Sequence, residues 1–291
     1  MQRTYLIPAS NKAYNLSSDV FYLKKMNYSS MGAIRKEVSN LIGKKENGVF
    51  LEAGALDGQY LSNTLWLEQD LNWTGILIEP DPTNFKDLSA KNRQAWTSNT
   101  CVSTTSYPKK IAMKSLKKLI VSEEFTWTMK GNTHDVEYPP NNNFENYADV
   151  EYHSVQCYPL YTYFLALNIT EVDLIVLDTQ GGEDDVLRNF PWDMINANIV
   201  VFEHFLNNTR NVDVEIIKFM NSHNYDLVSL TGEPDYIFVK RNHQFVQNYL
   251  KHNHSLMQHM FNKYNILQHD KIYTAFEIVI KHKTYNFYNM K

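Results

Sequence analysis

A chain of 291 residues, 43% hydrophobic and 21% charged, has enough apolar material for a sizeable core, as one large domain with appendages or two small ones. A formal net charge of −4 at pH 7 and a pI near 6.2 argue against a surface that neutralises nucleic-acid phosphates, which needs a basic face. No apolar run reaches the ~18 residues of a membrane span and the first ten residues lack the apolar stretch of a signal peptide, so the chain reads as soluble and, by default, cytoplasmic.

A secretory-pathway lumen would fit if a further segment lay upstream. Sequons at Asn15, Asn27, Asn72, Asn168, Asn207 and Asn253 hardly decide the matter, because roughly four are expected by chance in a chain with 31 asparagines. Cys101 and Cys157 are either one disulfide or two buried thiols, and the residues alone leave both open.

In chain order, residues 1–47 are polar and aromatic and read as a cap, with one helix predicted over Met31 to Ile42. Its apolar residues Ile34, Val38, Leu41 and Ile42 fall at helical spacing. After the turn signal Asn47-Gly48, short apolar runs alternate with helical patterns. Strands are predicted at Val49–Ala53, at Gly75–Glu79 (stopped by Pro80) and around Trp96–Val102, with helices over Leu61–Asp70 and Phe85–Asn92. The pairs Lys109-Lys110 and Lys117-Lys118 read as solvated helix faces. From about Val121 to Ser154 the chain is polar and aperiodic, and it reads as a long excursion of the kind that covers a site.

Order returns at Val155–Pro159, followed by a helix over Leu160–Leu167 and a strand at Asp173–Asp178. A helix from near Glu183, a strand at Asn198–Glu203 and a helix over Val212–His223 come next. Tyr225–Leu230 and Asp235–Lys240 are too closely linked for a parallel crossover and should form an antiparallel hairpin. Strands apolar on both faces, alternating with helices, call for an α/β fold: a seven-stranded, mostly parallel sheet with helices on both faces and a reversed final strand. This domain is expected to span 48–242, with 243–291 as a helical extension.

Ligand sites in such sheets lie at the carboxyl ends of the strands, beside the point where strand order reverses. There the first strand runs into Glu52-Ala-Gly54-Ala55-Leu-Asp57-Gly58, whose glycines permit a tight turn and a close backbone approach. The dinucleotide fingerprint G-x-G-x-x-G is absent, which favours a smaller nucleoside. Glu79-Pro80 ends the second strand about 25 residues later, where an acceptor-only carboxylate suits the two hydroxyls of a ribose. Each feature alone is as well explained as an ordinary turn or a solvated strand end. Together, in this strand order, they point to a nucleoside site.

The run from Phe50 to Thr64, with Trp73 to Pro80, resembles the FkbM family of S-adenosylmethionine-dependent methyltransferases, closest to its animal, Star-like branch. Val155 to Leu160 and Leu177 to Glu183 extend the likeness over roughly Gly48 to Lys240. The resemblance implies a Rossmann-like class I methyltransferase fold and S-adenosylmethionine as cofactor. It implies further that Glu52, Gly54, Ala55, Asp57 and Gly58 line the methionine end, that Glu79 with Pro80 holds the ribose, and that Ser62, Asn63 and Thr64 begin the helix closing over the cofactor. The family's recurrent cysteine pair corresponds to Cys101 and Cys157, which implies a disulfide.

Asp178 ends the fourth strand of the sheet and Glu203-His204 the fifth, so the three converge where an acceptor would meet the methyl group. Methyl transfer from a sulfonium needs mainly an aligned acceptor and removal of its proton. His204 is therefore expected as base, Asp178 as orienter of the acceptor and contributor to the cofactor site, and Glu203 as an orienting or metal ligand, with no metal site assigned. For His204 a structural role competes, and for Asp178 a helix N-cap. Where relatives read Asp-Val-Glu-Gly-Ala-Glu, this chain reads Asp178-Thr-Gln180-Gly181-Gly182-Glu183, so that an amide replaces a carboxylate. Two functions follow: an O-methyltransferase acting on a hydroxyl of a small molecule or glycan, or a non-catalytic Star-like binding module with a protein partner.

Overall fold

The computed structural model describes residues 5–19, 30–119, 131, 133–138, 148–204, 213–230, 235–241 and 243–245. Its main sheet contains β1 (Val49–Ala53), β2 (Thr74–Ile78), β3 (Trp96–Ser98), β8 (Glu171–Leu177), β9 (Asn196–Glu203), β10 (Tyr225–Leu230) and β11 (Asp235–Lys240). The order across it is β10-β11-β9-β8-β1-β2-β3. The five strands from β9 to β3 run parallel, and β11 is antiparallel to both β9 and β10. From β1 the chain winds outward through β2 to β3, then returns to β8 on the other side of β1. The point of reversal therefore lies between β1 and β8. This is the expected Rossmann-like class I arrangement, with the reversed strand inserted between β9 and β10.

Both faces of the sheet are covered, which explains why its strands read as unbroken apolar runs. Leu51, Ile175, Leu177, Val200 and Phe202 point to one face, where they pack against α4 (Leu160–Ala166), α5 (Glu183–Arg188) and α6 (Val214–Ser222). Phe50, Leu174, Val176, Ile199 and Val201 point to the other, toward α1 (Ser30–Ile42), α2 (Leu65–Leu71) and α3 (Pro82–Ala90). The predicted stripe of α1 is buried as expected: Ile34, Val38, Leu41 and Ile42 are each 3% exposed or less. Each such side chain contributes roughly 1.5–3 kcal/mol on leaving water.

A second sheet, of order β4-β7-β5-β6, was not foreseen. It comprises β4 (Cys101–Val102), β5 (Lys109–Leu119), β6 (His134–Asp135) and β7 (Ala148–Tyr158). Lys109-Lys110 and Lys117-Lys118 thus lie on a strand, not on helices, because β5 is held by antiparallel pairing with β7 from Lys109↔Cys157 to Leu119↔Ala148. The single strand expected over Trp96–Val102 is two strands in different sheets. The expected aperiodic excursion contains β6 and the start of β7, while its residues 121–130, 132 and 139–147 lie outside the described residues, as do most of the expected helical extension, 246–291, and the turn 231–234. Cys101 and Cys157 face each other in register across β4 and β7 and form a disulfide, with Cα atoms 4.3 Å apart.

The segment before α1 packs along the outer edge of the main sheet. Ile7 bridges Thr97 of β3, Ser10 N–H donates to Arg93 O, and Asn15 N–H donates to Lys91 O. Among the described residues no helix is long and apolar enough to cross a membrane.

Candidate active site

The Gly54–Gly58 turn is built where β1, β2 and β8 end side by side. Gly54 N–H and Ala55 N–H both donate to Ile78 O at 3.0 Å, and Asp178 N–H donates to Ala53 O at 3.0 Å. Gly54 has φ +84°, and a Cβ there would stand 1.8 Å from the Asp178 carbonyl oxygen. Only glycine lets the two strand ends approach this closely.

Glu79 is buried beneath this turn. Its Oε2 accepts the Leu56 N–H at 2.8 Å and its Oε1 the Asp81 N–H at 2.9 Å. Burial pushes its carboxyl up to about 8. The backbone N–H of Asp81 and of Leu56 and the side chain of Asn84 oppose the rise, and the negative charge of Asp81 adds to it. The two oxygens have four lone pairs between them, so the two backbone contacts and the Asn84 side chain leave one acceptor site. Asn99 braces the bend that follows, donating its amide to the carbonyls of Glu79 and Pro80.

The carboxylate of Glu52, a residue expected at the methionine end, is also buried. That group accepts the Ser62 hydroxyl at 3.0 Å, the Asn63 N–H at 2.7 Å and the Thr64 hydroxyl at 2.5 Å, and so fastens the entry of α2 to β1. Burial raises its pKa, against the lowering effects of Arg93 and of these three donors. Beside it, Asn63 Oδ1 is buried with no hydrogen-bond partner among the described residues. Asp57 Oδ1 accepts the N–H groups of Gln59 and Tyr60, and Lys91 Nζ lies 3.5 Å from its Oδ2.

Beneath the turn lies a buried ion pair that sequence reasoning missed. Arg93 and Glu68 are both 0% exposed at their side chains, with Nη2 2.8 Å from Oε1. The same guanidinium donates to the Gly58 carbonyl, to Ser62 Oγ at 3.2 Å and to Thr64 Oγ1 at 3.1 Å. One side chain thereby ties both ends of the 58–64 segment to α2. The pair is 25 residues apart in sequence, and no local pattern signals it.

Across the point of reversal, Asp178 and Glu203 are joined by Gln180. The Gln180 amide donates to Asp178 Oδ1 at 3.0 Å and to Glu203 Oε2 at 3.3 Å, from a left-handed backbone with φ +60°. Asp178 is not the N-cap of α5. That position is Gly182, and the side chain that collects the turn's donors is Glu183, whose Oε1 accepts the N–H groups of Thr179 and Gly181 and the Thr179 hydroxyl. Gly182, in place of the family's alanine, has φ +85°, and a Cβ there would meet Thr104 Cγ2 at 2.7 Å. Tyr138, from the segment after β6, packs on this turn and donates its hydroxyl to Asp185 at 2.6 Å.

His204 follows β9 directly and is paired through Nε2 with Asp213 Oδ2 at 2.9 Å. Asp213 was also missed, although Asp-Val-Glu at the start of α6 is an N-cap signature. Among the described residues no group of three or more His, Cys, Asp or Glu side chains is placed to hold a metal ion.

The model of the methyltransferase FkbM domain matches residues 52–227. Among solved structures, the chain is similar to methyltransferase FkbM from Methylobacillus flagellatus KT at 10% identity and TM-score 0.37, covering 67% of this chain and 44% of that one. It is similar to M. capricolum TrmK in complex with S-adenosyl-homocysteine at 10% identity and TM-score 0.35, covering 88% and 95%. A third likeness is to precorrin-6y C5,15-methyltransferase from Geobacter metallireducens GS-15, at 10% identity and TM-score 0.35, covering 72% and 88%. No curated protein sequence matches the chain. The matched span begins at Glu52 on β1 and ends at Leu227 on β10, so it encloses the Gly54–Gly58 turn, Glu79 and the ends of β8 and β9, and the chain belongs to the FkbM methyltransferase family.

Proposed function

We propose that the chain is an S-adenosylmethionine-dependent O-methyltransferase acting on a hydroxyl of a small molecule or glycan. The observation that carries this reading is Glu79: a buried carboxylate at the end of β2, under the Gly54–Gly58 turn, with one acceptor site left beyond its three donors. That remaining acceptor suits a ribose hydroxyl. Gly54 lets the turn leave β1 tightly against the end of β8, and Pro80 follows Glu79 at the end of β2. The orphaned Oδ1 of Asn63 is an acceptor of the kind an ammonium group takes, so Asp57 to Thr64 fit the methionine end. When bound, the cofactor supplies an electrophilic methyl group.

The chain's own residues have to orient the acceptor and remove its proton. A hydroxyl has a pKa about as high as that of water, ~16, so a base beside it matters. His204 serves as that base, and the Asp178–Gln180–Glu203 bridge orients the hydroxyl. Gln180 suits this bridge better than the family's glutamate would, because an amide donates to both carboxylates and holds them together without a cation. The same exchange favours the second reading, a non-catalytic Star-like module with a protein partner, since it removes a potential base. The Cys101–Cys157 disulfide supports an oxidising, secretory-type compartment over the cytoplasm.

Calorimetric titration with S-adenosylmethionine separates the two readings. Binding that is lost in Glu79→Ala supports the enzyme, and no binding at high micromolar cofactor sinks it. Methyl transfer to a panel of hydroxylated acceptors, abolished in His204→Ala and in Asp178→Ala, then tests the chemistry.

A further inference from the structure

We infer that Asp213 is a positioning residue that holds His204 as its Nε2–H tautomer, leaving Nδ1 as the nitrogen that takes the acceptor's proton. This rests on the methyltransferase reading above and assigns a residue and an atom to its base.

His204 leaves the sheet at the carboxyl end of β9, and its side chain is 16% exposed. Its Nε2 lies 2.9 Å from Asp213 Oδ2, and Nδ1 has no hydrogen-bond partner among the described residues. Burial works against an ionised Asp213. Donation by His204 and by the N–H groups of Glu215 and Ile216 outweighs it and holds the carboxyl below its usual range. An ionised carboxylate only accepts, so the shared hydrogen sits on Nε2 and the lone pair on Nδ1.

Capping alone does not account for the pair. Asp213 Oδ1 by itself caps α6, accepting the N–H of Glu215 at 2.8 Å and of Ile216 at 3.3 Å, while Oδ2 is turned to the imidazole. The carboxylate is fixed from behind, because Asp213 N–H donates to Tyr236 Oη at 2.7 Å. Tyr236 also meets the His204 ring edge-on, with centroids 6.1 Å apart. A carboxylate on one imidazole nitrogen with the other left free orients a base and stabilises the imidazolium it becomes. In the transfer, the acceptor O–H bond breaks and an Nδ1–H bond forms. The oxygen's electron pair makes the new O–CH3 bond as the S–CH3 bond breaks with its own pair, leaving a neutral thioether, and the imidazolium returns its proton to water.

The test is Asp213→Asn in the full chain. Asparagine is an equally good N-cap, so the fold is kept. With its oxygen on α6, its NH2 group faces His204 and demands an acceptor at Nε2, which drives the hydrogen to Nδ1. In protein labelled with 15N-histidine, and assigned with His204→Gln, the wild type should show a protonated Nε2 and an unprotonated Nδ1. The variant should show the reverse. S-adenosylhomocysteine affinity should stay within twofold, while methyl transfer to the hydroxyl panel falls about 100-fold or more. A wild-type His204 protonated at Nδ1, or a flipped tautomer with turnover within threefold of wild type, overturns the assignment. Absence of S-adenosylhomocysteine binding in the wild type is the separate failure of the cofactor reading.

Discussion

If Glu79 holds a ribose through an ionised carboxylate, nucleoside affinity must rise with pH. Burial sets its pKa at about 8 in the ligand-free chain, and the ionised form, which only accepts, is the one suited to a ribose hydroxyl. At pH 7 about one molecule in eleven is ready to bind, so the Kd should be about elevenfold weaker than its plateau above pH 9, a difference of about 1.4 kcal/mol. Binding at pH 7 should release about 0.9 proton. The cofactor's own α-amino group titrates near 7.7–8.0, so the cleaner probe is 5′-methylthioadenosine, which has the diol and lacks the amine. Calorimetry in two buffers of different ionisation enthalpy measures both Kd and proton release. Glu79→Gln should bind weakly, without the slope and without the proton. The same shift bears on stability with a defined sign: a folded-state pKa raised above the unfolded value favours folding at low pH and loses that contribution as pH rises through about 8. A flat Kd between pH 6.5 and 9 in the wild type would refute the assignment of Glu79 to the diol.

Three further outcomes are expected. Arg93→Ala strands Glu68 as a buried charge and should cost about 3–5 kcal/mol in a denaturant titration, with most of it recovered when Glu68 is also made apolar. Cys157→Ser opens a loop of sequence separation 56 and, on the chain-entropy account, should cost about 4 kcal/mol, lowering the thermal midpoint of non-reduced protein to that of reduced protein. Gly54→Ala combines a left-handed backbone with a Cβ driven into the Asp178 carbonyl, so it should destabilise the fold by about 2–4 kcal/mol and abolish nucleoside binding, seen as a lower melting temperature and a flat calorimetric trace.

The parallel sheet was legible in the sequence because its strands are buried on both sides, and the Gly54–Gly58 turn because its glycines directly follow the first apolar run. The second sheet was not. The run Lys109–Leu119 carries its lysines at helix-like intervals, and its strand state comes from pairing with Ala148–Tyr158, a tertiary contact that no local window contains. Glu52 was placed at the methionine end by the resemblance; that its carboxylate collects three donors ten to twelve residues later is a contact no local pattern signals. Asp178 was weighed as a cap because carboxylates often precede helices, whereas Glu183 folds back and takes the turn's N–H groups itself. The partner of His204 lies nine residues ahead, across a segment whose path cannot be read from periodicity.

The run from Ile7 to Ser17 has a mechanical consequence. Its contacts fall in sequence on Thr97, Arg93, Lys91 and Gln59, and the last is a two-way clasp in which Ser17 N–H donates to Gln59 Oε1 at 2.7 Å and Gln59 Nε2 donates to Ser17 O at 2.9 Å. Gln59 directly follows Gly58, so this stretch is a zipper whose final tooth is the rim of the Gly54–Gly58 turn. Peeled from Ile7 inward, it would give up the sheet edge and the end of α3 first and release the turn last. Trimming the chain through Pro8 should therefore leave the clasp shut, while trimming through Ser17 opens it.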